Sequence, residues 1–473
     1  MPGLLIVIKN FFSLSIGEFF SRIAGIFLFI ILARYLGPEK YGIYSIAVSF
    51  VTIFMLVSNF GLDAIIMKDV SRNHNLLNSY FFSALFVKSG VSILCILLIV
   101  IILNFFNYDS LTNQAVLTYS LVVLFASNLN TSISIFNAFE KMKFSAITNI
   151  IRSFSSFFII GLLILFQSNL LTIIISQPVV YFLVFIVTIF ILSAEFTKVN
   201  FIFDRQTIYY FLKTSWPYFL TGVIHIINFK VDILMLSNFT NEKTVGYYAA
   251  ANDLVVSLLV LPNLFATAFF PNMSKKYGEG ALEKLKKESE FSLRFLTVIG
   301  ILSGLFFFIF SNFIIQTVYG SEFKASAYLL KILSFIITLT FAKVILSWLL
   351  TAMENIKLSM TEYLICLISN IILNAVLIPK YGATGSALAT LTSYIVGYIF
   401  LFVVLKIKLS GNSYHFNYIK VIAILPVVFF SLNYFSFMNN ILLLLINTTL
   451  IIIYLIVFKI VKLDEMTKLI RLK

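Results

Sequence analysis

The chain has 473 residues, 60% of them hydrophobic and only 11% charged, with a mean hydropathy of +1.01. Soluble domains carry about 25% charged residues, so this composition excludes a soluble enzyme or binding module and identifies an integral membrane protein. The formal net charge of +14 does not call for nucleic acid as a partner, because where charge lies matters more than its sum.

Continuous apolar runs of about 20 residues mark helical spans rather than the alternating pattern of a barrel. In chain order they fall near 11–33, 43–66, 80–104, 115–138, 145–167, 170–193, 208–238, 245–270, 291–316, 325–350, 357–378, 384–405, 419–437 and 440–459. The first run holds Glu18 and Arg22 and has no small-residue cleavage site, so it reads as a span and not as a removable signal. The seventh, about 30 residues long, exceeds what a bilayer needs, so it must tilt or bend, and Pro217 is a candidate hinge. A polar segment near 272–290 reads as a short amphipathic surface helix joining two halves.

Of the 34 Lys and Arg residues, 23 fall on one side of these spans, five on the other and six inside them. The positive-inside rule then puts both termini in the cytoplasm, and the net charge reads as topology and contact with membrane lipids.

The six cations within spans are Arg22, Lys88, Arg152, Lys230, Lys331 and Lys343. Each costs roughly 2.5 to 3.5 kcal/mol at a helix centre, so a chain that repeats them reads as holding a polar cavity for an anion. Arg22 is near mid-span with Glu18 one turn earlier, and Lys88 is deep. Arg152 and Lys331 lie closer to span ends, where a side chain can snorkel. Arg22, Lys88, Arg152, Lys230 and Lys343 are therefore the candidate substrate-binding cations. Glu18, Asp232 and Asp253 lie within spans and are the candidates for H+ or Na+ coupling, or else neutralise a neighbouring cation, as Glu18 can Arg22 at i, i+4. Lys230 and Asp232, two residues apart, point to different sides of a helix. Asp63 and Glu362 lie near cytoplasmic span ends.

Chemistry of other kinds finds little support. Cys95 and Cys366 sit in apolar runs as small hydrophobes, and His74, His225 and His415 lack ligand spacing, so no metal or cofactor is expected. No GxxxxGK[ST] loop occurs, which excludes a built-in ATPase. Outer loops of about ten residues or fewer leave no room for a glycosyltransferase or polymerase site. The chain reads as a transporter and not an enzyme.

The chain also repeats itself. Glu39-Lys40-Tyr41-Gly42-Ile43-Tyr44-Ser45-Ile46-Ala47 opens the second span, and Glu242-Lys243-Thr244-Val245-Gly246-Tyr247-Tyr248-Ala249-Ala250-Ala251 opens the eighth. Both place Glu-Lys on a short loop and then Gly-x-Tyr-x-x-Ala on a helix. Six spans separate them, an even number, so the repeats are parallel, a transporter architecture.

Ala33-Arg34-Tyr35-Leu36-Gly37-Pro38-Glu39-Lys40-Tyr41-Gly42-Ile43-Tyr44, Asn59-Phe60-Gly61-Leu62-Asp63 and Ile378-Pro379-Lys380-Tyr381-Gly382-Ala383-Thr384-Gly385-Ser386-Ala387-Leu388-Ala389-Thr390 resemble the Wzx-type lipid-linked oligosaccharide flippases. These belong to the MOP superfamily, with MATE exporters and the lipid II flippase MurJ. The resemblance implies an all-α fold of about 14 transmembrane helices, in two pseudo-symmetric six-helix lobes plus two C-terminal helices. On this chain that gives lobes at 1–193 and 207–405, a cytoplasmic connector at 194–206, and extra spans with a tail at 406–473. It also implies flipping of undecaprenyl-diphosphate-linked oligosaccharides to the outer leaflet of the plasma membrane for O-antigen, capsule or exopolysaccharide. Polysaccharide polymerase and chain-length proteins would be neighbours. A MATE-like ion-coupled exporter of small organic molecules is the alternative, although it calls for an acid-rich cavity and here the bases outnumber the mid-span acids.

Overall fold

The computed structural model describes residues 2–196, 202, 204–409 and 439–457. Among them every regular element is helical and no strand occurs. Among the described residues nine helices are long and apolar enough to cross a membrane. The predicted span near 419–437 lies outside the described residues.

Two helices are too long for one crossing. Helix α1, Pro2–Asn59, has 58 residues, and at 1.5 Å per residue it would run for roughly 87 Å if straight. It breaks at Gly37 (φ 69°, ψ 172°), just before Pro38, so it contains the predicted span near 11–33 and most of the one near 43–66, whose end falls in the turn after Asn59 and in α2. Helix α14, Ile356–Lys408, breaks in the same manner at Gly382 (φ 56°, ψ −133°), three residues after Pro379. It contains the spans predicted near 357–378 and 384–405. Positive φ is a conformation that glycine adopts without the Cβ clash other residues meet.

After α1 the backbone turns through Phe60 (φ 49°) and Gly61 (φ 73°) into the short α2, Leu62–Arg72. Then come α3, Leu77–Leu103, α4, Ser110–Ala138, α5, Met142–Leu165, and α6, Leu170–Glu195. The chain divides into two compact units, Met1–Ala249 and Ala250–Lys473. In the first, α1 packs on α4 and α5. A cluster around Phe81, Phe136, Phe144 and Leu192 fills the space among α3 to α6. Phe86, Leu94, Phe158 and Phe190 are each at least 60% exposed, as residues facing lipid are.

The run predicted as one long seventh span is two elements. Helix α7, Arg205–Thr214, ends at Ser215, and α8, Trp216–Phe239, starts with Pro217 in its first turn. Proline is favoured at a helix start and has no N–H to donate to the carbonyl four residues back, which accounts for the break. Helix α7 is held against α2 and α3 by polar side chains. Tyr210 and Tyr80 both donate to Asp69 Oδ2, at 2.8 and 3.2 Å. Asp204 caps α7, accepting from Gln206 N at 3.0 Å and from Thr207 Oγ1 at 2.5 Å, while Ser79 Oγ donates to it at 3.3 Å.

Helix α9, Glu242–Leu258, crosses the boundary between the units, and α10, Val260–Gly278, follows. The separate surface helix expected near 272–290 is absent. Gly280 (φ 68°) ends α10, and α11, Leu282–Ile309, runs from Leu282 straight into the next span, because the Leu, Glu and Lys residues there are all strong helix formers. Lys276 pairs with Glu288 across this joint. Helices α12, Ser311–Tyr319, and α13, Ser326–Ala352, precede α14. Helix α13 packs on α11 and α14. The last described helix, α15, Asn440–Val457, lays Leu443 and Ile451 against Ile301, Leu305 and Ile309 of α11.

The Thr207 hydroxyl and Gln206 amide hold the Asp204 carboxyl below the usual carboxylate range. A carboxylate whose pKa is lowered by folding stabilises the fold above its unfolded value, about 3.9, and loses that contribution as pH falls through the lowered value. Hydrogen-exchange protection of residues 205–214 should thus hold from neutral pH to about pH 4 and fall below it. In Asp204→Ala it should be reduced at neutral pH and flat through the acid range. Identical protection profiles for the two proteins would refute the capping role.

Candidate functional site: paired charges within the spans

The two copies of the repeated Gly-Tyr segment meet. Gly42 lies on the second half of α1 and Gly246 on the first turns of α9. A Cβ built on Gly42 would overlap the carbonyl oxygen of Glu242 and lie 2.9 Å from Gly246 N. A Cβ on Gly246 would overlap the carbonyl oxygen of Pro38 and lie 3.1 Å from Gly42 N. Each glycine faces the carbonyl four residues ahead of the other, so the crossing is reciprocal and leaves no space for a side chain on either helix. Tyr41 and Tyr248 are wholly buried beside it. The Tyr248 hydroxyl donates to Asp232 Oδ2 at 3.0 Å, and Tyr44 meets Tyr119 edge to face at 6.2 Å.

The span-embedded cations each have a distinct setting. Arg22 bonds Glu18 at i, i+4, as the spacing predicts, with Nε donating to Oε1 at 3.0 Å and both side chains about half exposed. Lys88 is completely buried. Its ammonium donates to Asp63 Oδ1 at 2.5 Å and to the carbonyl of Ser127 at 3.1 Å. The turn at Phe60 and Gly61 puts Asp63 in the first turn of α2, from which it reaches Lys88 on α3. Arg152, half-buried on α5, donates from Nη1 to the Tyr181 hydroxyl at 3.4 Å and lies 5.5 Å from the centre of that ring. Lys230 is half-buried on α8.

In the second unit, Lys343 of α13 is buried and donates to Glu362 Oε1 at 2.5 Å. It also lies 4.5 Å from the ring centre of Tyr394. Lys331 is half-buried, 5.8 Å from the ring centre of Phe308. Asp253 is half-buried on α9. Of the predicted coupling acids, Glu18 is occupied by Arg22 and Asp232 by Tyr248. The structure thus gives Arg22, Lys88 and Arg152 three separate partners instead of gathering them at one point. A phosphate oxygen can take the place of a carboxylate or a phenol on each cation with comparable or stronger charge-assisted hydrogen bonds.

The model of the polysaccharide biosynthesis protein family matches residues 7–277, and that of the MatE family matches residues 217–376. The chain belongs to the polysaccharide biosynthesis protein family. It is 24% identical to a chain of Haloferax volcanii described as a probable low-salt glycan biosynthesis flippase, Agl15, over 80% of each sequence. It is 23% identical to the capsular polysaccharide biosynthesis protein CapF of Staphylococcus aureus, over 83% of this chain and 98% of that one. Its fold matches the lipid II flippase MurJ in an inward closed conformation with a TM-score of 0.74 and 23% identity, over 94% of this chain and 97% of that one.

Within this polysaccharide biosynthesis chain, Asp63 and Glu362 are the residues that sequence reasoning left out of the site. The available signal was energetic: a lysine two or more turns inside a span needs a counter-charge, and each acid sits at the end of the neighbouring helix. Two predictions follow from the geometry. Lys88 is fully buried whereas Asp63 is 26% exposed, so Asp63→Asn, which strands the buried charge, should destabilise more than Lys88→Met. Losses should approach the 3–5 kcal/mol typical of broken buried pairs, with recovery in the double variant, all read as melting temperature in detergent. For the crossing, Gly42→Ala and Gly246→Ala should each lower the melting temperature by the equivalent of about 1–3 kcal/mol, whereas Gly90→Ala, where a Cβ has open space, should not. Equal behaviour of the three glycine variants would contradict the tight crossing.

Proposed function

We propose that this multi-pass membrane protein flips undecaprenyl-diphosphate-linked oligosaccharides from the cytoplasmic to the outer leaflet of the plasma membrane, for O-antigen, capsule or exopolysaccharide assembly. One observation carries the reading. A member of the polysaccharide biosynthesis protein family keeps basic side chains within its spans, two of them buried lysines held by single carboxylates. A diphosphate headgroup carries about two negative charges, and its oxygens can replace those carboxylates. The flippase and capsular descriptions of the relatives support the same reading and describe no catalytic activity.

In the full proposal Arg22, Lys88, Arg152, Lys230 and Lys343 receive the diphosphate during alternating access. The sugars occupy a wet chamber and the prenyl tail stays in lipid through a lateral opening. About fourteen spans, six-helix lobes at 1–193 and 207–405, and cytoplasmic termini complete it. Glu18, Asp232 and Asp253 are the acids available for H+ or Na+ coupling, and a polymerase with chain-length proteins would receive the product. The MatE match over residues 217–376 favours a second reading, an ion-coupled exporter of small organic molecules. The excess of bases over acids within the spans is the wrong sign for organic cations.

Deletion should strip the cell surface of a polysaccharide while its lipid-linked precursor accumulates inside. Arg22→Ala should reproduce this with normal protein levels in the membrane. Unchanged surface glycan together with raised sensitivity to cationic drugs would favour the exporter.

A further inference from the structure

The pairing of Lys343 differs from that of Lys88 in one respect. The carboxylate that holds Lys88 is partly exposed, but Glu362 is completely buried, and its second oxygen, Oε2, has no hydrogen-bond partner. Every donor crowds onto Oε1. Lys343 Nζ is at 2.5 Å, and the Cys366 thiol donates to the same atom at 2.9 Å. Lys343 Nζ also approaches Cys366 Sγ at 3.4 Å. The second half of α14 closes the site from the other side. A Cβ on Gly397 would lie 2.6 Å from Glu362 Oε1 and overlap Cys366 Sγ. The titratable groups facing Glu362 are thus Lys343 from α13, Cys366 and Tyr363 from its own stretch of α14, and Tyr394 from the second half of α14.

A buried carboxylate oxygen left without a donor carries an unrecovered desolvation cost in the paired state. An incoming diphosphate offers more acceptor oxygens and more charge. The lysine can change partners without leaving its aromatic neighbour, since Tyr394 is 4.5 Å away. The carboxylate left behind would then be an uncompensated buried charge, the costly outcome of breaking such a pair, unless a proton neutralises it. Bare Oε2 is the atom free to take that proton.

We propose that Glu362 is a displaceable counter-ion: substrate diphosphate takes Lys343 from it, and Glu362 Oε2 binds a proton as the lysine leaves. Binding of substrate and of the proton then reinforce each other, and by linkage each raises the affinity for the other equally. This rests on the flippase reading and deepens it, by giving proton linkage to a residue that sequence reasoning placed near a span end and outside the coupling set. Glu362 is a positioning residue here, since it acts through Lys343.

The test uses the full-length protein in lipid nanodiscs with geranylgeranyl diphosphate as probe. Titration calorimetry at pH 8 in two buffers of different ionisation enthalpy gives both affinity and protons taken up per ligand. Wild type should take up about one proton more than Glu362→Gln. Glu362→Gln, with its lysine already released, should bind about tenfold more tightly but turn over more slowly in a flipping assay. Lys343→Gln should bind about tenfold more weakly and lose the extra proton. If Glu362→Gln does not fold, Lys343→Gln/Glu362→Gln, which buries no charge, should also lack the extra proton. Equal proton counts and affinities in wild type and the Glu362 variants overturn the proposal while leaving the flippase reading intact. Failure of the wild type to bind the diphosphate, with surface glycan unchanged on deletion, overturns both.

Discussion

A charge buried at hydrocarbon depth must have a partner, and much of what distinguishes this chain follows from that. Lys88 and Lys343 are buried and each is bonded to a carboxylate at 2.5 Å. Neither carboxylate comes from the lysine's own helix or helical half. The backbone is shaped to bring them in. The left-handed turn at Phe60 and Gly61 delivers Asp63, and the start of α14 delivers Glu362. A helix that carries a buried lysine is therefore tied to its neighbour by more than apolar contact. Between hydrocarbon-facing helices, where no hydrophobic driving force operates, such ties add to van der Waals packing.

The glycine crossing applies the opposite logic, association through the absence of side chains. Gly42 and Gly246 bring two backbones into contact, and the wholly buried Tyr41 and Tyr248 seal the flanks. Tyr248 then reaches Asp232, so the crossing and one of the intramembrane acids share a residue. The repeat is more than a likeness between two segments, because the two copies fit against each other.

Several of these features were legible in the sequence for local reasons. The breaks at Gly37 and Gly382 announce themselves through Gly-Pro and Pro-Lys-Tyr-Gly, and the Glu18–Arg22 pair through i, i+4 spacing. Helix α7 was hidden because Ile208 to Leu212 continues the apolar character of the next span; only Ser215-Trp216-Pro217 marks the boundary. The expected surface helix near 272–290 failed because amphipathic composition does not say whether a helix stops at the bilayer or enters it. Asp63 and Glu362 were visible as acids but not as counter-ions. Pairing between helices is a tertiary fact, and no periodicity within one helix encodes it.

The sequence separation of the buried pairs bears on how the chain enters the membrane. Asp63 and Lys88 are 25 residues apart, and Lys343 and Glu362 are 23 and 4 residues before Cys366. Both pairs join consecutive segments across a single tight connection. Biogenesis delivers spans one after another, so each lysine would meet its carboxylate while the two segments are still emerging together. The insertion step for a buried lysine is then the entry of a helical hairpin that already holds its counter-ion. The two buried lysines would so enter lipid already matched.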